Sequence, residues 1–257
     1  LIQLIRCELF KVLRQKKLYM FLFILTALEI SAVFQFQREA AGISGIGPNG
    51  QSFPLLVLNS SSLLIPVFIA ILAADSIAEE YRTGTLKRAL LCPIRRTDLL
   101  HAKIASMLII AALLLLFLIF SSYVTGTLAY GWGNRTFVEG TVYTSMGGMR
   151  LVSQTFLLSL LPNLALGLIV MCAALLTANT GASIGTALAF IAVTPLMEGI
   201  PEIRELLIGY QLRIFPLHSL HHTAAVEVWT GTAILLVYIV VLYAGSVMIL
   251  RKKDILI

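Results

Sequence analysis

The sequence predicts an all-α integral membrane protein, an N-terminal interfacial amphipathic helix followed by six transmembrane helices. Three observations carry this. Apolar residues make up 58% of the 257 positions, and charged residues only 12%, about half the share of a soluble domain. The mean hydropathy is +0.92. Several apolar runs reach the roughly 20 residues that a helix needs to cross a bilayer. The chain reads as a single domain over residues 1–257 with short loops. The formal charge of +6 is accounted for by basic residues at the ends of spans, not by a nucleic-acid surface. Cys7, Cys92 and Cys172 are too dispersed for a disulfide framework or a zinc site. The N-terminal charges lead straight into a full-length apolar run, with no cleavage site of a signal peptide.

Residues 1–17 place Leu1, Ile2, Ile5, Leu9, Val12 and Leu13 on one arc of a helical wheel, with Gln3, Glu8, Lys11, Arg14 and Gln15 on the rest. That pattern suits a helix lying in the membrane surface. The first span is Leu18 to Phe36, with Glu29 near its middle. A carboxyl at that depth requires a partner. It is either a contact for substrate, proton or partner, or a hydrogen-bonded group packed between helices. Gln37 to Ser52 is Gly-rich and reads as a loop. Phe53 to Ser76 forms a second span, interrupted by Asn59 to Ser62 and by Pro66. Ile104 to Tyr130 is the third span and Gly131 to Ser153 a loop. Gln154 to Thr177 is the fourth span, with Asn163 inside it. After a short turn, Ile184 to Met197 reaches full length as the fifth span by drawing in Thr180 to Ser183. Residues 199–229 are a longer polar segment, and Thr230 to Leu250 is the sixth span. Asn59 and Asn163, with Glu29, are the polar candidates inside the membrane.

Fourteen of the 19 Lys and Arg residues fall on the N-terminal helix, residues 77–103 and the C-terminal tail. Arg38, Arg135, Arg150, Arg204 and Arg213 make up the other face. The excess marks the cytoplasmic side, so both termini and residues 77–103 are expected there. Within that charged segment, Glu79 to Leu91 is compatible with a helix despite Gly84, Pro93 ends the run, and Thr97 is placed to cap the third span. A short helix between two spans moves with them. The plainer reading is a solvated loop whose charges obey the inside rule.

The segment EEYRTGTLKRALLCPIRRTDLLHAK resembles the first cytoplasmic loop of the ABC-2 type exporter permeases. The matching residues are Glu80, Arg82, Gly84-Thr85-Leu86, Leu90-Leu91-Cys92-Pro93, Arg95 or Arg96, and Lys103. The size is similar to that of the bacitracin and lantibiotic self-protection permeases. The resemblance implies a coupling helix within Glu80 to Leu91 that docks on a separate ATPase subunit. Glu80, Tyr81, Arg82, Thr83, Gly84, Thr85, Leu86 and Leu90 are the contact residues it points to. It also implies two ATPases, a second permease subunit, identical or related, and short external helices between spans five and six. ATP and magnesium would then belong to the partner ATPase, with no cofactor on this chain. The absence of a G-x-x-x-x-G-K-[ST] motif agrees, since that loop is what cradles phosphate in P-loop ATPases.

These readings make the chain a non-enzymatic exporter subunit of a bacterial cell membrane, surrounded by lipid and handling an amphipathic or lipid-like substrate such as a peptide antibiotic. The alternative is a secondary transporter or channel that uses Glu29 as its ion or proton site. Other constellations carry less. His218, His221 and His222 cluster without a nearby acid or Cys, so no metal site is expected. Gly42-Ile43-Ser44-Gly45 matches a protease-like G-x-S-G but sits in a loop among glycines. Asn134-Arg135-Thr136 has the form of a glycosylation sequon.

Overall fold

Apolar runs become helices almost throughout the computed structural model, which describes residues 1–40, 49–85, 95–138, 141–219 and 225–252. In chain order the helices are α1 (Ile2–Leu13), α2 (Lys16–Ala40), α3 (Phe53–Ser60) and α4 (Leu64–Ala74). They continue with α5 (Arg96–Tyr130), α6 (Ser145–Thr177), α7 (Thr180–Met197), α8 (Pro201–Arg204), α9 (Ile208–Ile214) and α10 (Ala225–Lys252). Five helices are long and apolar enough to cross a membrane, and six spans result if the bent pair α3 and α4 counts as one. The expected six-span architecture therefore holds, with one span broken. Glycines 42 and 45, Ser44, His221, His222 and Cys92 lie outside the described residues.

The break has a local cause. Ser61 donates its N–H to the Val57 carbonyl and its hydroxyl to the Leu58 carbonyl, while Pro66 has no N–H to give the carbonyl of Ser62. The chain bends by 57° there. Small hydroxyl side chains make such a break tolerable in lipid by satisfying freed backbone groups. Beyond Ala74 the helix widens into a π turn, Asp75–Glu79, before a last turn, Glu80–Arg82.

α6 is the axis of the bundle. It packs against α4, α5, α7, α10 and the 3-10 turn Phe215–Ser219, and 61% of its apolar window is buried. The windows of α7 and α10 are each only 17% buried. Their large apolar side chains, among them Leu196, Val237 and Val241, are exposed for lipid. α5, at 35 residues, is about 52 Å long and outruns the roughly 30 Å apolar layer. Its first turns project beyond the spans at the end where α1 lies.

Three expectations change. The fourth span starts at Ser145, not Gln154, because Thr144 caps it by accepting from the Gly147 N–H. Ahead of it stands a small antiparallel hairpin, β1 (Arg135–Val138) and β2 (Thr141–Thr144), where a loop was expected. Gln51 fastens this hairpin to the start of the second span, donating to the Gly133 carbonyl at 2.7 Å and accepting from Thr136 at 3.2 Å. Thr97 is not a cap: α5 begins at Arg96, and Asp98 in its first turn complements the helix dipole. The fifth span, Thr180–Met197, and its turn follow the sequence closely, with Asn179 accepting from Gly181 and Ala182.

Close backbone approach seats α3 on α5. A Cβ on Gly126 would come within 2.7 Å of the Phe53 Cβ, and Phe53 is fully buried. Gly126→Ala is expected to destabilise the fold by about 1–3 kcal/mol through overpacking. Thermal unfolding in lipid nanodiscs checks this, and an unchanged midpoint would contradict the packing.

Candidate functional site

Charge in an apolar chain must be paired, and the ends of α1, α4 and α5 meet to do so. Lys103 lies two turns into α5 and is 2% exposed. Its ammonium donates to Glu8 on α1 at 2.9 Å, to Glu80 after the π turn at 2.7 Å, and to the Ser76 carbonyl within that turn at 2.6 Å. Lys11 closes the figure, reaching Glu8 at 2.6 Å and Glu80 at 3.0 Å. Two carboxylates and two ammonium groups thus alternate around a closed ring that is neutral overall. A second tie, Lys17 to Asp75 at 2.8 Å, joins the start of α2 to the same π turn.

The ring corrects the wheel drawn for α1. Glu8, placed there among the polar positions, is 5% exposed, whereas Ile2 is 70% exposed. α1 turns Glu8 and Val12 inward. Burial alone raises the Glu8 carboxyl's pKa, but Lys103 and Lys11 outweigh it and hold the group below its ordinary value. For Lys11, burial pulls the pKa down and the two glutamates more than restore it, leaving it raised.

The residues pointed to by the resemblance divide at this ring. Glu80 faces inward and is bound. Tyr81 packs partly against the core. Arg82, Thr83 and Thr85 are exposed. Arg82 pairs with Glu79 at 2.7 Å, and the Thr83 hydroxyl donates to the Glu79 carbonyl at 2.9 Å. The helix is not continuous through Gly84: it stops at Arg82, Gly84 takes φ +68°, and helical conformation resumes at Thr85. No atom of the described residues crowds a Cβ at Gly84, and the positive φ itself favours glycine there. Leu86 and Leu90 lie outside the described residues.

The intramembrane candidates are dispersed. Glu29 on α2 is fully buried and accepts from Ser121 at 2.6 Å and Ser122 at 3.1 Å on α5. Its Oε2 has no partner among the described residues. Asn59 is exposed at the broken span, and Asn163 is buried on α6. Arg96 anchors the other flank of the charged segment, donating to the Leu250 carbonyl of α10 at 3.2 Å. The backbone of the 3-10 turn carries His218, and no cluster of three or more His, Cys, Asp or Glu side chains that could hold a metal ion occurs among the described residues. Sequence reasoning missed the partnership of Glu8, Lys11 and Lys103. The signal was present: a lysine within an apolar helix obliges a search for acids on neighbouring elements.

Lys103→Met leaves two adjacent carboxylates with Lys11 alone. Removing one partner of a buried pair costs about 3–5 kcal/mol, and adding Glu8→Gln should recover part of that loss. A double-mutant cycle by chemical denaturation measures it, and strict additivity would contradict the ring. The pH dependence has a definite sign. Because the folded Glu8 pKa is depressed, its contribution is present above the ordinary carboxylate value and lost as pH falls through the depressed one. Because that of Lys11 is raised, its contribution is full below the ordinary lysine value and lost as pH rises through the raised one. Glu8→Gln should therefore flatten the acid limb of a stability–pH curve; an unchanged limb would count against it.

Comparison with known proteins agrees with this architecture. A family model described as ABC-2 family transporter protein matches residues 4–195. A 75-residue stretch is 33% identical to the uncharacterised protein YhcI of Bacillus subtilis (strain 168). That match covers 29% of this chain and 24% of YhcI, so it spans about a quarter of that relative. With its membrane-capable helices and the family match over most of its length, the chain belongs to the ABC-2 family of transporter proteins and is a multi-pass membrane protein.

Proposed function

We propose that this chain is the membrane-spanning permease subunit of an ATP-driven exporter, powered by a separate ATPase that docks at the turn from Arg82 to Thr85 and the residues that follow. The observation that carries the reading is the ion-pair ring. It ties the root of the docking segment, at Glu80, to α1 and to the third span, so a push on the exposed turn is delivered to two bilayer elements together. Family membership supports the same reading. ATP and magnesium belong to the partner, and two ATPases with a second permease copy complete the transporter. Both termini and the ring face the cytoplasm of a bacterial cell, as the clustering of basic residues at that end favours. An amphipathic or lipid-like cargo, such as a peptide antibiotic, fits a protein whose spans carry few charges.

A second reading, a secondary transporter or channel, rests on the burial of Glu29 and on its Oε2, which has no hydrogen-bond partner among the described residues. Glu29→Gln decides it, because unchanged transport removes an ion or proton role for that carboxyl.

The exporter reading separates docking from transmission. Arg82→Glu reverses charge on the exposed turn and is expected to abolish co-purification with the ATPase. Lys103→Met sits behind the turn and is expected to keep the ATPase bound while transport per ATP hydrolysed falls about tenfold or more, a loss of about 1.4 kcal/mol of coupling. Pull-down and paired transport and hydrolysis assays in proteoliposomes read both. If Arg82→Glu assembles and transports normally, the docking assignment fails.

A further inference from the structure

At the end of the bundle opposite the ion-pair ring, α5 and the first turns of α6 border an open groove of about 540 Å³. That volume falls within the roughly 300–1,000 Å³ of small-molecule sites. Ile119 and Tyr123 form one wall, and Met146, Met149, Arg150 and Val152 the other. Met146 is 82% exposed. Methionine is unbranched and polarisable, so such a wall adapts to a flexible apolar chain.

Two features set the depth of the groove. Tyr123 lies about 20 residues beyond Lys103 on α5, about 30 Å along the helix. Groove and ring therefore stand at opposite edges of the apolar layer. The Tyr123 ring packs on Trp132 with centroids 5.8 Å apart, and Tyr and Trp are the aromatics that collect at headgroup level.

Arg150 is the one charge among the described lining residues. It is exposed and forms no ion pair among the described residues. Lys11, Lys17, Lys103 and Arg213 differ in this respect, since each holds a carboxylate. The Ser153 hydroxyl also borders the groove, but it donates to the Met149 carbonyl at 2.8 Å. An arginine at the edge of the lipid calls for an anion, and its planar fork matches a phosphate. The Tyr123 hydroxyl adds a donor from the facing helix.

We infer that this groove binds an anionic phospholipid, its phosphate on Arg150 and one acyl chain along Ile119, Met146, Met149 and Val152. Charge complementarity and depth together select that occupant. A zwitterionic phospholipid fits less well, because its ammonium meets a guanidinium and no lining carboxylate. The inference goes beyond the exporter reading and does not depend on it.

The test uses the full chain without any ATPase, so its failure is distinct from failure of the docking experiment. Trp229→Phe leaves Trp132, beside Tyr123, as the single fluorescent indole. The protein is reconstituted in phosphatidylcholine vesicles with rising fractions of phosphatidylglycerol brominated high on one acyl chain. Brominated phosphatidylcholine provides the reference. Quenching of Trp132 by the brominated phosphatidylglycerol is expected to saturate with about a fivefold preference over phosphatidylcholine, the effect of one basic residue at a membrane surface. Arg150→Ala should abolish the preference, and Arg150→Lys, which keeps the charge, should retain most of it. Arg135→Ala, at the same end but outside the groove, should leave it unchanged. Equal quenching by both lipids in the Trp229→Phe protein would mean bulk lipid only, and no quenching by either would mean that another occupant, such as a second copy of the chain, covers the groove. Either result, a preference that survives Arg150→Ala or is lost in Arg150→Lys, or an equal loss in Arg135→Ala would overturn the inference.

Discussion

Lys103 is the residue on which this molecule's working end depends. An ammonium 2% exposed at the root of an apolar helix is tolerable only if carboxylates come to it, and that requirement draws three otherwise separate elements together. α1 supplies Glu8, the end of the second span supplies Glu80, and the π turn presents the Ser76 carbonyl. π turns concentrate where a helix is adapted to a special task, and here the turn lies where the ammonium needs a third acceptor. α1, the end of the second span and α5 are thereby tied together at one point.

The helices around that point differ in how far they are packed. α6 is packed against α4, α5, α7 and α10, while α7 and α10 present most of their surface to lipid. The second span is broken at Ser61, so the half nearer the ring, α4, is not rigidly continuous with α3. At the far end Gln51 and Thr136 tie the hairpin to the start of α3. The molecule thus has two fastened ends and a bend between them, with Asn163 beside the bend.

Much of this was legible in the sequence, and the parts that were not share a cause. Periodicity and run length located the spans because a bilayer imposes one length on every helix. The break was readable from Asn59 to Ser62 and Pro66, since missing donors are a local matter. The inward turn of Glu8 was not readable, because a wheel records only which residues share a face and not which face meets a lysine 95 positions away. Gly84 was read as a tolerated helix interior when it is a left-handed stop, and only the backbone angle distinguishes the two. The hairpin was hidden for a similar reason: four-residue strands are too short for alternation to stand out.

The rigid union of α1 with the proposed docking segment can be tested directly by pulsed electron-spin resonance on the assembled transporter. Spin labels at Cys7 on α1, which is exposed, and at Thr85→Cys, with the other cysteines replaced, report the distance across the ring. The expected result is one narrow distance distribution, the same with and without ATP, that broadens when Lys103 is replaced by Met. A distance that changes with ATP in the wild type, or is indifferent to Lys103→Met, would contradict the claim that the ring carries force from the docking segment to the membrane.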